Sequence, residues 1–197
     1  MIQHIGIVII FSFLFVSCQQ QPIDSPRDTI IDIRTAWWVH VWYGVAVGAQ
    51  RLLTPAHVIQ GCGVSCRYLL LEGMREIEIG TIEPLWGDRV ALSTTTSVMP
   101  YIRVIASEWL SIDTPVYILV SRSGSWQRIE GRITARDVSY VWYTSTLSGG
   151  VSTGAIETDI VLEAGESGTP IWTHDDTLVG VMSAVDRERG RGYIVSP

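Results

Sequence analysis

Positive charge never gathers anywhere in this 197-residue chain: the basic residues are scattered and the formal net charge is −6. Without a basic patch or stripe there is no field to hold a phosphate backbone, so nucleic acid is not expected as a partner. Cysteine is scarce, with three in all. Cys62 and Cys66 have no second Cys/His cluster beside them, which leaves a zinc site short of ligands. Helical periodicity is hard to find, and there is neither an internal repeat nor a low-complexity tract beyond Gln19-Gln20-Gln21. What remains is a composition of 47% hydrophobic and 17% charged residues, enough for one substantial core or two small adjoining ones in a compact globular protein.

Ile5 to Val16 is an uninterrupted run of twelve mostly branched or aromatic residues. That is short for a bilayer span and suits the core of a signal peptide, so export is expected. The run ends in Phe15-Val16-Ser17-Cys18, which resembles the lipobox of bacterial lipoproteins, with Phe15 where leucine is usual and no Lys or Arg ahead of the apolar run. The resemblance implies a signal peptide over 1–17, acylation of Cys18, and a lipid-anchored tether over 18–30. The membrane is then a partner through this anchor, and multiple acyl chains hold more firmly than one. Gln19, in place of an aspartate, tilts the expected site of this envelope protein toward the outer membrane. In an oxidising compartment Cys62 and Cys66 are expected to form a short local disulfide, with a two-thiol metal site as the rival reading.

From about Ile31 the chain reads as about twelve short strands rich in β-branched and aromatic residues and bounded by turn signals. They fall at 37–48, 68–72, 76–82, 90–95, 101–105 and 115–120, then at 126–134, 138–147, 155–162, 170–173, 178–184 and 192–195. So many strands without intervening helices argue for an all-β sandwich or a pair of barrels.

Two segments carry chemistry. Leu52-Leu53-Thr54-Pro55-Ala56-His57 holds an imidazole, and Gly165-Glu166-Ser167-Gly168-Thr169-Pro170 holds a hydroxyl between glycines. A serine hydroxyl is a weak nucleophile near neutral pH and needs a positioned base, which in turn needs an acid to fix its tautomer. Alone, His57 could be an ordinary strand-end histidine and Ser167 a turn serine. Together, Leu53 to Val58 and Asp159 to Pro170 followed by Leu178-Val179-Gly180-Val181 resemble the histidine and serine motifs of trypsin-like, chymotrypsin-fold peptidases. Gly87-Asp88-Arg89-Val90-Ala91-Leu92 resembles the family's aspartate segment, with one residue more before the alanine, so the carboxylate needs an altered turn to reach His57; Glu83 and Asp113 are poorer substitutes.

The resemblance implies two six-stranded antiparallel β-barrels, over 31–106 and 107–197, with the active site between them. It implies a serine endopeptidase working through an acyl-enzyme: Ser167 attacks, His57 moves the proton, Asp88 orients His57, and the N–H groups of Gly165 and Ser167 form the oxyanion hole. No metal or organic cofactor is implied, and the partner is a protein or peptide substrate. Glu166 stands for the usual aspartate or asparagine, and Thr169 for the usual second glycine. In trypsin-like zymogens that aspartate pairs with a freshly cut N-terminus, but no Ile-Val-Gly-Gly-like segment lies near the start, which points to a site closer to HtrA-like members, without a PDZ domain. Val161, six residues before the serine, and Ser183, Ala184 and Val185 are expected to wall a pocket for a small or medium aliphatic residue. Trp37, Trp38 and Trp42 fill a core or form an aromatic belt at the lipid surface. The rival of another class is a protease-like fold that binds at the cell envelope without catalysis; an esterase using the same acyl chemistry is a third reading.

Overall fold

Several strands of this chain are apolar on both faces, and the two faces go to different places. In the computed structural model, residues 25–34, 40–62, 67–70, 75–85, 87–97, 102, 109–143 and 149–196 are described. A 3₁₀ turn (Pro26–Thr29) leads into β1 (Ile30–Arg34), β2 (His40–Gly48), β3 (Arg51–Thr54), the short helix α1 (Ala56–Cys62), β4 (Arg67–Leu70), β5 (Arg75–Ile77), β6 (Ile79–Pro84) and β7 (Val90–Thr94). These strands make an antiparallel sheet in the order β5-β4-β1-β2-β3-β7-β6. Its two outer strands, β5 and β6, are consecutive in the chain and separated by Glu78 alone, so the sheet must curl until its edges meet there. Counted as one strand bent at Glu78, they make the expected six; counted separately, they make seven.

The second half holds β8 (Pro115–Arg122), β9 (Ser125–Tyr143), β10 (Gly149–Thr158), β11 (Pro170–Thr173), β12 (Leu178–Asp186) and β13 (Arg191–Val195). They close into a barrel in the order β10-β13-β12-β11-β8-β9. Ser123 and Gly124 join β8 to β9 with φ of 52° and 78°. Positive φ at both central residues matches the strand twist of a two-residue hairpin and fixes the end of β8.

Period two then sorts the side chains. Ile31 and Ile33 of β1 and Leu52 of β3 enter the core of the first sheet, with Val58, Tyr68, Ile77 and Leu92. Val116, Ile118 and Val120 of β8, Ile171 of β11 and Ile194 of β13 fill the second barrel. Their neighbours Ile30, Leu53, Tyr117, Trp172 and Val195 point the other way, into a third cluster shared by both sheets. Each fully buried aliphatic side chain contributes roughly 1.5–3 kcal/mol. The shared cluster therefore locks the two bodies together, and their seam becomes a fixed place on which to mount side chains.

Several expectations needed adjustment. Residues 126–134 and 138–147 were expected as separate strands, but β9 runs through the gap; Asp137 sits inside it at φ 55°, a local bend that reads as a loop in sequence. β1, β3 and α1 were not anticipated, because each is shorter than the window over which periodicity shows. Thr29 and Ile30, expected in the tether, are fully buried. Trp42 is packed against the first core. Of the expected strand 101–105 only Ile102 is described; it is buried, and its N–H donates to Ala46 O at 3.1 Å. The expected signal peptide, Cys18, Trp37, Trp38 and Cys66 lie outside the described residues, as does the side chain of Cys62, so the lipid anchor and disulfide stay expectations.

Candidate active site

Pro55 ends β3 and α1 begins at once, which leaves the first N–H groups of the helix without partners in the helix. The N–H of His57 is one of them, and Asp88 Oδ1, on the loop between β6 and β7, accepts it at 2.9 Å. The other carboxylate oxygen, Oδ2, lies 2.6 Å from His57 Nδ1. Asp88 thus grips His57 by backbone and ring together, so the position of the residue and the plane of its imidazole are set by one side chain. Asp88 is fully buried, while the His57 side chain keeps 12% exposure. The turn that delivers it depends on Gly87, at φ +70°, where a methyl group would collide with Ser152 Oγ.

A buried carboxylate needs its remaining lone pairs satisfied. Ser183 Oγ, on β12, donates to Asp88 Oδ2. Tyr140 OH, on β9, donates in turn to Ser183 Oγ at 2.6 Å, and the Asp88 N–H donates to Ser152 Oγ at 3.3 Å. Burial raises the Tyr140 phenol above its usual pKa, and the Asp88 charge adds to that, so Tyr140 remains a neutral donor. The Tyr140 ring is stacked on Tyr193 at 4.8 Å between centroids. Trp142, also on β9, lies 6.0 Å from the His57 ring. Strands β9 and β10 of the second barrel therefore reach across the seam to the Asp88–His57 pair of the first.

Ser167 lies on the turn before β11. Gly165 and Gly168 flank it at φ +87° and +85°, a region that L side chains rarely adopt. Ser167 O accepts the N–H of Tyr43 on β2 at 2.9 Å, and Gly168 N–H donates to Met182 O on β12 at 2.7 Å. One residue thus ties the turn to the first sheet and the next ties it to the second. A methyl group at Gly168 would overlap the Tyr43 carbonyl, whose oxygen also accepts Thr54 Oγ1 at 2.9 Å. Thr54 is three residues before His57, so the serine turn and the helix that carries His57 are built on the same end of β2 and β3.

The sequence-selected residues divide by place. His57 and Asp88 are bonded to each other, and Ser167 and Gly165 share the turn docked on Tyr43. Glu83 and Asp113 are exposed elsewhere, paired with Arg51 at 3.5 Å and Arg132 at 3.8 Å. Ser183, expected in the pocket wall, is 2% exposed, and its hydroxyl donates to Asp88. Val161, Ala184 and Val185 are half-buried. Sequence reasoning missed Tyr43, Tyr140, Ser152 and Arg122, since each joins the site through a contact distant in the chain and no local motif marks it. Among the described residues, no group of three or more His, Cys, Asp or Glu converges as a metal site would require.

The fold, two antiparallel β-bodies joined along a seam with little helix, matches that of chymotrypsin-like serine protease domains. Solved structures with this architecture include the active form of the Rv3671c protease from M. tuberculosis, with a TM-score of 0.68, 18% identity, and coverage of 87% of this chain and 77% of that one. The MamO protease domain from Magnetospirillum magneticum gives a TM-score of 0.68 at 16% identity, covering 87% of this chain and 93% of its own. The HtrA-type protease AlgW gives 0.67 at 19% identity, covering 86% and 56%. At these identities the likeness is one of fold. No protein-family model matches the chain, and no curated protein matches it in sequence.

Proposed function

We propose that this chain is a serine endopeptidase that hydrolyses peptide bonds through an acyl-enzyme. The observation that carries the reading is the buried Asp88 carboxylate, which holds His57 by both its N–H and Nδ1. With Nδ1–H bonded to Asp88, the lone pair of His57 is on Nε2, free to take the Ser167 proton. Ser167 Oγ attacks the scissile carbonyl, and the N–H groups of Gly165 and Ser167 receive the oxyanion. The imidazolium, stabilised by Asp88, then protonates the leaving amine, and water reverses the sequence to release the acid product. No metal or organic cofactor takes part. Acylated Cys18 would hold this activity at the envelope, and the substrate is a protein or peptide.

The test is a peptide-library digest with purified protein lacking residues 1–18, beside Ser167→Ala. The reading expects internal cleavage by the first and none by the second, with an aliphatic preference before the cut. Equal products from both proteins, or none from the first, would overturn it.

A further inference from the structure

Between Gly165 and Ser167, Glu166 brings a carboxylate into a place where little water reaches it, with 8% of its side chain exposed. An unpaired charge there would be strongly unfavourable, and turning out to solvent would carry the neighbouring peptide groups with it. Arg122 opposes this. Arg122 Nε–H donates to Glu166 Oε1 at 2.7 Å, and Nη2–H donates to Oε2 at 2.8 Å, the two-pronged arrangement that fixes direction as well as distance. The Glu163 N–H adds a third bond, to Oε2 at 2.7 Å, and Glu163 Oε1 lies 3.2 Å from Arg122 Nη1.

The backbone of the turn is closed by the same residue. Glu166 N–H donates to Glu163 O, and Glu166 O accepts both the N–H and the Oγ1–H of Thr169. Arg122 is itself held in place, as the last residue of β8 before the two-residue turn at Ser123 and Gly124. The hydrogen bonds to Glu166 raise the guanidinium pKa above its usual value, so Arg122 remains a cation.

We propose that Arg122 is a positioning residue, a built-in counter-ion whose grip on Glu166 keeps the Gly165–Ser167 turn in its anion-receiving form from the moment the chain folds, with no newly cut amino terminus required. The proposal rests on the peptidase reading above. Arg122 touches no reacting atom; it acts through the direction of the peptide N–H groups on either side of Glu166.

Two features make the test sharp. A cavity of about 250 Å³, lined by Tyr43, Ser121, Arg122, Glu163 and Gly165, gives a small ion access to the pair. The sequence also contains no lysine, so acetylation of amines falls on the chain terminus alone. The readout is the rate at which full-length protein is labelled by a fluorophosphonate, which needs both the nucleophile and the oxyanion donors. Arg122→Gly is expected to label slower by on the order of 100-fold, the scale of one lost oxyanion donor. Guanidinium ion at concentrations that leave the fold intact should restore much of the rate, and methylammonium much less. Amine acetylation of the parent should change nothing.

Should the glycine variant fail to fold, Arg122→Lys decides. Its labelling rate should fall at a pH above lysine's ordinary value of about 10.4, which the Glu166 carboxylate raises, while the parent stays level. Labelling of Arg122→Gly at the parental rate, a slow rate that guanidinium leaves untouched, a level profile for Arg122→Lys, or loss of parental labelling on acetylation would each overturn the proposal. A parent that never labels would end the peptidase reading and this inference with it, a result distinct from the others.

Discussion

Replacing Asp88 by Asn changes one atom in the site and tests how the acid works. The carboxylate accepts three donors: the His57 N–H, the His57 Nδ1–H and the Ser183 hydroxyl. Asparagine offers one oxygen and one NH₂ in the same space. If the oxygen keeps the backbone N–H of His57, the NH₂ faces Nδ1, and the ring must present Nδ1 as an acceptor. The ring proton then moves to Nε2, the nitrogen that has to receive the Ser167 proton. Where a carboxylate holds the tautomer in this way, its amide replacement lowers turnover by about 10⁴-fold. At about 1.36 kcal/mol per tenfold this corresponds to about 5.4 kcal/mol in the barrier. Folding stability should fall less, by about 1.5–3 kcal/mol, the net worth of one hydrogen bond to a charged group, since the backbone bond and the shape are retained. Turnover on a peptide taken from the library digest, measured beside thermal unfolding, separates the two effects. Turnover within tenfold of the parent in a folded variant would show that Asp88 does not set the tautomer and would refute the reasoning.

Other perturbations follow from the same contacts. Gly168→Ala places a methyl group against the Tyr43 carbonyl at a backbone φ of +85°, and should lower the melting temperature and abolish hydrolysis together; an active, equally stable variant would contradict the docking of the serine turn. Tyr140→Phe removes the donor to Ser183 and leaves all three donors to Asp88, so stability should fall by about 1 kcal/mol and turnover by less than about tenfold, as read from melting curves and kcat. Trp172 is fully buried, and among the described residues its Nε1 has no hydrogen-bond partner. Trp172→Phe should therefore cost under about 1.5 kcal/mol in denaturant unfolding, against roughly 3–5 kcal/mol for Trp172→Ala.

Much of this was legible in the sequence, and the gaps have physical causes. Near-continuous apolar, β-branched runs at Pro115–Val120 and Leu178–Ala184 announce strands because each strand feeds two cores, one on each face. The segments around His57 and Ser167 were conspicuous because glycine and proline mark turns that chemistry needs at fixed offsets. Asp88 could be selected from its place ahead of an apolar strand, but the turn that lets it reach His57 depends on Gly87 at positive φ facing Ser152, a residue of the other barrel. The bond from Ser183 to Asp88 was hidden because sequence shows that a hydroxyl sits on β12, not which way it faces. Arg122 was invisible for a similar reason: it lies 44 residues from Glu166, and nothing in Ser121-Arg122-Ser123 shows that its fork meets a buried carboxylate.

The most direct test of the account is the location of a fluorophosphonate adduct by mass spectrometry of proteolytic fragments. The account predicts a single adduct, on Ser167, lost in Ser167→Ala and nearly lost in His57→Ala. A folded protein that takes up no adduct, or carries it on another residue, would contradict the claim that this serine is activated by His57.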